Sequence, residues 1–186
     1  MLQKWSLREV VLLAFLAFLF GGVFMGAGFL NATLNVLLTP LGLGLIGKQV
    51  IFGMWTMAAP MAAMLIPKKG SAILGEVLAA LAEMIYGSYF GPGVLLSGFI
   101  QGLGTELGFI VTGYKRYDYL PLVYGAIGTT IFSFIHTYIK YGFHVYPWWM
   151  IMTLFLVRLL SVMFFGVVVV SFVMKLYNKS QQLAIL

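Results

Sequence analysis

From Val10 to Leu30 the chain carries no charged residue, and stretches of the same kind recur to its far end. A helix needs about 20 mostly apolar residues to cross a bilayer. Six candidates qualify: Glu9 to Leu30, Gln49 to Ile66, Ser71 to Gly87, Gly93 to Gly113, Leu120 to Lys140 and Trp148 to Met174. The breaks fall on turn chemistry, at Thr39-Pro40, Pro67-Lys68-Lys69-Gly70, Gly91-Pro92-Gly93, Asp118 to Pro121 and Tyr146-Pro147. The runs are too long for strands and do not alternate with period two. Only 9% of the 186 residues are charged, against about 25% in a soluble domain, so the polar surface needed to face water is missing. The expectation is an all-α integral membrane protein, a single transmembrane domain over residues 1–186 built as a bundle of six helices in the cell membrane.

The formal charge of +6 would suggest nucleic acid in a soluble protein, but in a membrane protein Lys and Arg first report topology. With a cytoplasmic N-terminus, one side collects Lys4, Arg8, Lys68, Lys69, Lys115, Arg116, Lys175 and Lys179. The other receives Lys48 and Lys140, while Arg158 falls inside the sixth span. This split expects both termini in the cytoplasm and leaves no basic surface to assign to a nucleic acid. The first apolar run continues past Gly21-Gly22 to Leu30 and five spans follow, so it reads as a transmembrane helix, not a cleaved signal. Trp148 and Trp149 fit an interfacial aromatic belt.

Ionisable residues inside spans are costly, and each is a functional hypothesis. They are Glu76, Glu83, Glu106 and Arg158, with His136 near the outer surface and Gln101 as a neutral companion. At ~1.5 Å per helical residue, Glu83, Trp55 and Gln101 lie within ~12 Å of the outer ends of their spans. Arg158 and Glu76 lie ~15–16 Å deep, and Glu106 ~20 Å deep. That ruler expects Arg158 to pair with Glu76, Glu106 or both, locking helices together. Three acids against one Arg leave an excess of negative charge, so either carboxylates are protonated or a cation binds. Gln101 offers donors and an acceptor, for an aminopyrimidine edge or for an interhelical bond. Trp55 can stack on a flat or cationic ring, or simply pack. His136 reads as a capped or interfacial residue, and no metal site is expected.

Span one differs in kind. Ala14, Ala17, Gly21 and Gly22 form a smooth stripe suited to close helix packing, inside the bundle or against another subunit. The Leu30 to Gly47 connection reads as a partly apolar outer loop able to cap a pocket. There is no Walker A, HExxH or GxSxG pattern, no cysteine and no inverted repeat. No catalytic residue and no cofactor are expected, and any ATP dependence has to come from a partner.

Gly53-Met54-Trp55, Ala58-Ala59-Pro60-Met61-Ala62-Ala63 and Ile66-Pro67-Lys68-Lys69-Gly70 resemble the second span and inner turn of YkoE-type proteins. The resemblance continues through Gly75 to Glu83, is most specific in Gly98-Phe99-Ile100-Gln101-Gly102-Leu103-Gly104-Thr105-Glu106, and returns at Leu156 to Ser161. Such proteins are substrate-binding S components of energy-coupling factor (ECF) vitamin transporters, assigned to thiamine or its hydroxymethylpyrimidine precursor. The resemblance implies six membrane helices and an outward-facing pocket under the first outer loop. It also implies a transmembrane coupling protein, docked on small residues of span one such as Ala14, Ala17 and Gly21, and two cytoplasmic ATPases. Glu83, Gln101 and Trp55 become ligand candidates, joined by Tyr86 near the outer surface, while Glu106 and Arg158 become ligand or scaffold. The outer turn Tyr86-Gly87-Ser88-Tyr89-Phe90 departs from the familiar pattern, which leaves the ligand open within the thiamine group.

The rival from another class is an intramembrane enzyme acting on a lipid or isoprenoid, with Glu83 or Glu106 as general base. Such enzymes usually use clustered Asp residues for a metal-bound phosphate, and the one Asp here, Asp118, lies outside the spans.

Overall fold

A computed structural model describes residues 4–88 and 90–183; Tyr89 of the outer turn lies outside them. The described residues contain helices and turns alone. Helix α1 (Leu7–Leu38) leads through a 3-10 turn at Thr39–Leu41 to the short α2 (Gly44–Val50). A 3-10 segment at Phe52–Thr56 then precedes α3 (Ala58–Leu65), and α4 (Ser71–Ile85), α5 (Gly93–Val111) and α6 (Tyr119–Lys140) follow. The last rod is α7 (Trp148–Met163), a π-helical stretch at Phe164–Val169 and α8 (Val170–Leu183). Four of these helices are long and apolar enough to cross a membrane: Leu7–Leu41, Gly93–Val111, Tyr119–Lys140 and Trp148–Leu183. The second expected span is broken into shorter pieces and the third, already short for a perpendicular span, is the 15-residue α4, so four helices of spanning length stand where six spans were expected.

Two boundaries move for physical reasons. The expected outer loop from Leu30 to Gly47 is largely helix. Leu34 and Leu38 continue the helical spacing and pack over Gly47, whose missing side chain leaves room for Leu38. Helix α1 ends only at Thr39-Pro40, where proline opens the 3-10 turn. At the other end, the sixth span runs on into a polar helix to Leu183.

Two helix starts are closed by side chains. Ser6 and Glu9 form a capping box on α1, and Lys68 reaches Glu9 at 2.5 Å and the Lys4 carbonyl at 2.6 Å. This pair ties the start of α1 to the α3–α4 turn. Asp118 caps α6 by accepting from Leu120 N at 3.1 Å, and the Arg116 guanidinium beside it holds its carboxyl below the usual range.

Helix α5 is the centre of the bundle, with α4 on one side and α6 on the other. Its glycines sit on two faces. A Cβ on Gly98 would lie 3.0 Å from Ala80 Cβ and one on Gly102 2.7 Å from Ile73 Cα, both on α4. A Cβ on Gly104 would lie 2.4 Å from Thr129 Cα and one on Gly108 2.1 Å from the Pro121 carbonyl oxygen, both on α6. The glycines therefore serve backbone approach.

The span-one stripe is divided by the same criterion. Ala17 and Gly21 are buried, and a Cβ on Gly21 would meet Ala82 Cβ on α4 at 2.6 Å. Ala14 and Gly22 face outward. Two of the three residues expected to dock a partner are thus buried within the chain, Gly21 of them against α4.

Gly108→Ala should destabilise the protein by about 1–3 kcal/mol, the usual cost of forcing extra volume into a packed interior. Gly22→Ala, where an added Cβ meets nothing within 4 Å, should leave stability unchanged or slightly raised. Thermal unfolding of the two variants in the same detergent distinguishes them.

Candidate functional site

The second span breaks at Met57, so α3 begins inside the bundle with amide donors that no turn above it can satisfy. Glu76 of α4 meets one of them: its Oε2 accepts from Ala59 N at 2.7 Å. The preceding 3-10 segment is held in the same manner. Gly53 N donates to Ser161 Oγ at 2.9 Å, and Thr56 Oγ1 donates to the Gly53 carbonyl at 2.9 Å. A side chain at Gly53 would come within 2.3 Å of the Ser161 carbonyl oxygen, which explains glycine there. With its amide oriented to satisfy both neighbours, Gln101 Nε2 donates to the Trp55 carbonyl at 2.7 Å and to Glu76 Oε1 at 3.2 Å.

These contacts frame a cavity of about 110 Å³ between the 3-10 segment, α4, the start of α5 and the end of α6. Trp55, Glu76, Glu83 and Gln101 line it. The structure thus brings together three residues singled out from the sequence, Trp55, Glu83 and Gln101, and adds Glu76. Glu83 accepts from Ser88 Oγ at 3.0 Å and from the Trp55 side chain. Trp55 meets Phe90 edge to face at 5.9 Å between centroids.

Three other candidates lie elsewhere. Tyr86 is 43% exposed and donates its hydroxyl to the Phe18 carbonyl at 3.1 Å, on the outside of α1. Glu106 is at the opposite end of α5, where its carboxylate caps α4. It accepts from Gly70 N at 2.6 Å, Ala72 N at 3.0 Å and the Tyr114 hydroxyl at 2.6 Å.

Arg158 departs furthest from expectation. It donates to Gln49 Oε1 at 2.7 Å, Thr137 Oγ1 at 3.1 Å and Ser133 Oγ at 3.3 Å. Its guanidinium lies 4.0 Å from the Phe52 ring centroid. The ion pairs among the described residues are Lys68–Glu9 and Arg116–Asp118, so the expected pairing of Arg158 with Glu76 or Glu106 does not form. The depth ruler fails because Arg158, ten residues into α7, bonds Thr137, three residues before the end of α6, so α7 begins beyond the end of α6. Arg158 consequently sits level with Thr137, close to the end of α6. It does not line the cavity, but Ser133 and Thr137, which do, rest against it.

Lys48, Lys140 and His136 also line the cavity, although sequence reasoning had assigned both lysines to topology alone. A signal was available: they are the two basic residues at the span ends on the less charged side. Their presence removes the expected surplus of negative charge, as does the commitment of Glu106 to a helix end.

Comparison with known proteins follows from this geometry. The family described as "ABC-type cobalt transport system, permease component" matches residues 8–132. The "Putative HMP/thiamine permease protein YkoE" of Bacillus subtilis (strain 168) is 29% identical over 160 residues, covering 86% of this chain and 78% of that protein. A crystal structure of an S component of an ECF transporter superposes with a TM-score of 0.87 at 26% identity, covering 96% of this chain and 88% of that one.

Glu106→Ala should remove three hydrogen bonds at the start of α4 and leave buried donors unmet. The expected loss is about 1–3 kcal/mol per unsatisfied group, read as a lower melting temperature, with ligand affinity of the folded fraction unchanged. Loss of binding at full stability would place Glu106 in the site after all.

Proposed function

The chain belongs to the family of ABC-type cobalt transport system permease components, and on that premise we propose that it is the substrate-binding S component of an ECF importer for thiamine or hydroxymethylpyrimidine. The observation that carries this reading is the cavity itself. A tryptophan, two carboxylates and a glutamine converge on a space enclosed by helices, in a fold shared with an S component. Trp55 stacks on the planar ring, Gln101 borders its pyrimidine edge, and Glu83 balances a cationic ring. The name of the Bacillus relative supports this ligand class. Cobalt as cargo fits less well, because among the described residues no group of three His, Cys, Asp or Glu is placed to hold a metal ion.

In this reading both termini are cytoplasmic and the cavity opens outward, at the end of the bundle that carries Lys140. A transmembrane coupling protein and two cytoplasmic ATPases supply the driving force. Of the three small residues expected to meet the coupling protein, Ala14 is the one left exposed to do so.

Native mass spectrometry of the protein purified from cells, followed by calorimetry, tests the ligand. Glu83→Gln should weaken thiamine binding by roughly ten- to a hundredfold, because a buried charge-assisted contact contributes about 1.5–3 kcal/mol and 1.4 kcal/mol is tenfold. The neutral hydroxymethylpyrimidine should lose much less. Equal losses would show that Glu83 reads the pyrimidine or holds the fold.

Orientation is tested separately. In intact cells a membrane-impermeant thiol reagent should label Val145→Cys, which replaces a residue 71% exposed beyond α6, and spare Lys115→Cys. The reverse pattern would invert the topology.

A further inference from the structure

The charges around the cavity are sorted into two poles. Glu76 and Glu83 form one, and they are electrostatic neighbours of each other. Lys48 forms the other with Arg158 and Lys140, its own electrostatic neighbours. The ammonium groups of Lys48 and Lys140 lie 4.7 and 5.5 Å from the centroid of one ring, that of Tyr141. Among the described residues none of these three cations has a carboxylate at ion-pair distance. Arg158 is wholly buried, and one of its terminal nitrogens has no hydrogen-bond partner. Lys48 is half-buried and Lys140 exposed at the rim, so the cluster runs from the surface to the buried Arg158, and a bound anion would offset its like charges.

The space available has a matching shape. Lys48, Phe90, Thr137 and Tyr141 are shared between the cavity that holds Trp55 and a second one of about 710 Å³, lined also by Asn31 and Gln49. The two cavities therefore adjoin at Lys48, within reach of a group attached to a ring in the first.

We propose that the preferred cargo is a phosphate monoester of the planar heterocycle. This rests on the reading of the cavity given above and names the ligand more closely. The ring lies toward Glu76, Glu83 and Trp55, and the phosphate lies between Lys48 and Lys140 with Arg158 behind it. Paired lysines suit phosphate, which accepts from compact point charges in many directions, better than they suit a planar carboxylate, whose natural partner is the fork of an arginine. The segregation of charge also discourages the opposite placement, since a phosphate beside Glu83 would face like charge.

The test uses the full chain in lipid nanodiscs and calorimetry with thiamine, thiamine monophosphate and inorganic phosphate. The monophosphate should bind about ten- to a hundredfold more tightly than thiamine, the range expected for charge-assisted contacts, and the margin should shrink as salt is raised. In the double variant K48M/K140Q the ratio of the two affinities should fall to about one. Lys140→Arg, which keeps the charge, should keep most of the preference. If the double variant does not fold, Lys140→Gln alone should still narrow the ratio severalfold. Thiamine bound as tightly as its monophosphate would overturn the inference and leave the proposed function standing. Binding of neither compound would overturn both. Inorganic phosphate that binds as tightly as the ester would show a site for the free anion and overturn the assignment to cargo.

Discussion

The arrangement depends on one hydrogen bond, from Ala59 N to the buried carboxylate of Glu76. In the interior of a membrane protein a broken helix is tolerated only where its freed backbone groups are met by protein. The second hydrophobic segment is broken at Met57, and Glu76 stands at the buried start of α3 in place of the missing turn. The same device recurs at the other end of the bundle, where Glu106 accepts from the first amides around α4. Two of the three acids within the hydrophobic segments thus complete helices.

Because the break is held, its carbonyl and amide groups become cavity wall. Gln101 bridges the Trp55 carbonyl and Glu76, so the residue that borders the site also fixes the segment that presents Trp55. The close approach of α5 to both α4 and α6, allowed by glycines on its two faces, brings Glu83 and Thr137 to the same space. Cavity wall and scaffold here share the same residues.

Much of this was legible in the sequence, and the failures have physical causes. Trp55, Glu83 and Gln101 could be grouped because each is a polar or aromatic residue at similar depth in an otherwise apolar run. Glu106 could not be read as a cap, since its partners are backbone amides 34 and 36 residues away and backbone groups leave no mark in residue identity. Arg158 was misplaced because a depth ruler assumes that helices start on one plane, and α7 does not. Lys48 and Lys140 were absorbed by the topology rule. A charge near a membrane boundary can orient the chain and line a cavity at once, and counting charges hides the second role. The 3-10 segment at Phe52–Thr56 was invisible as well, because its apolar content equals that of a helix and its geometry is imposed by Ser161 and Gln101.

The bond from Gly53 N to Ser161 Oγ joins residues 108 positions apart, whereas Glu76 follows Ala59 by only 17. During synthesis the cap on α3 can therefore form as soon as its own hairpin has emerged, but the 3-10 segment waits for a residue of the last helix. Until Ser161 arrives, the Gly53 amide lacks the acceptor it has in the folded chain. Assembly is consequently ordered: a hairpin that can close early, and a 3-10 segment that is fully bonded only when the C-terminal rod inserts. A nascent chain halted before Ser161 would contain every residue that lines the cavity and still leave Gly53 N without its acceptor.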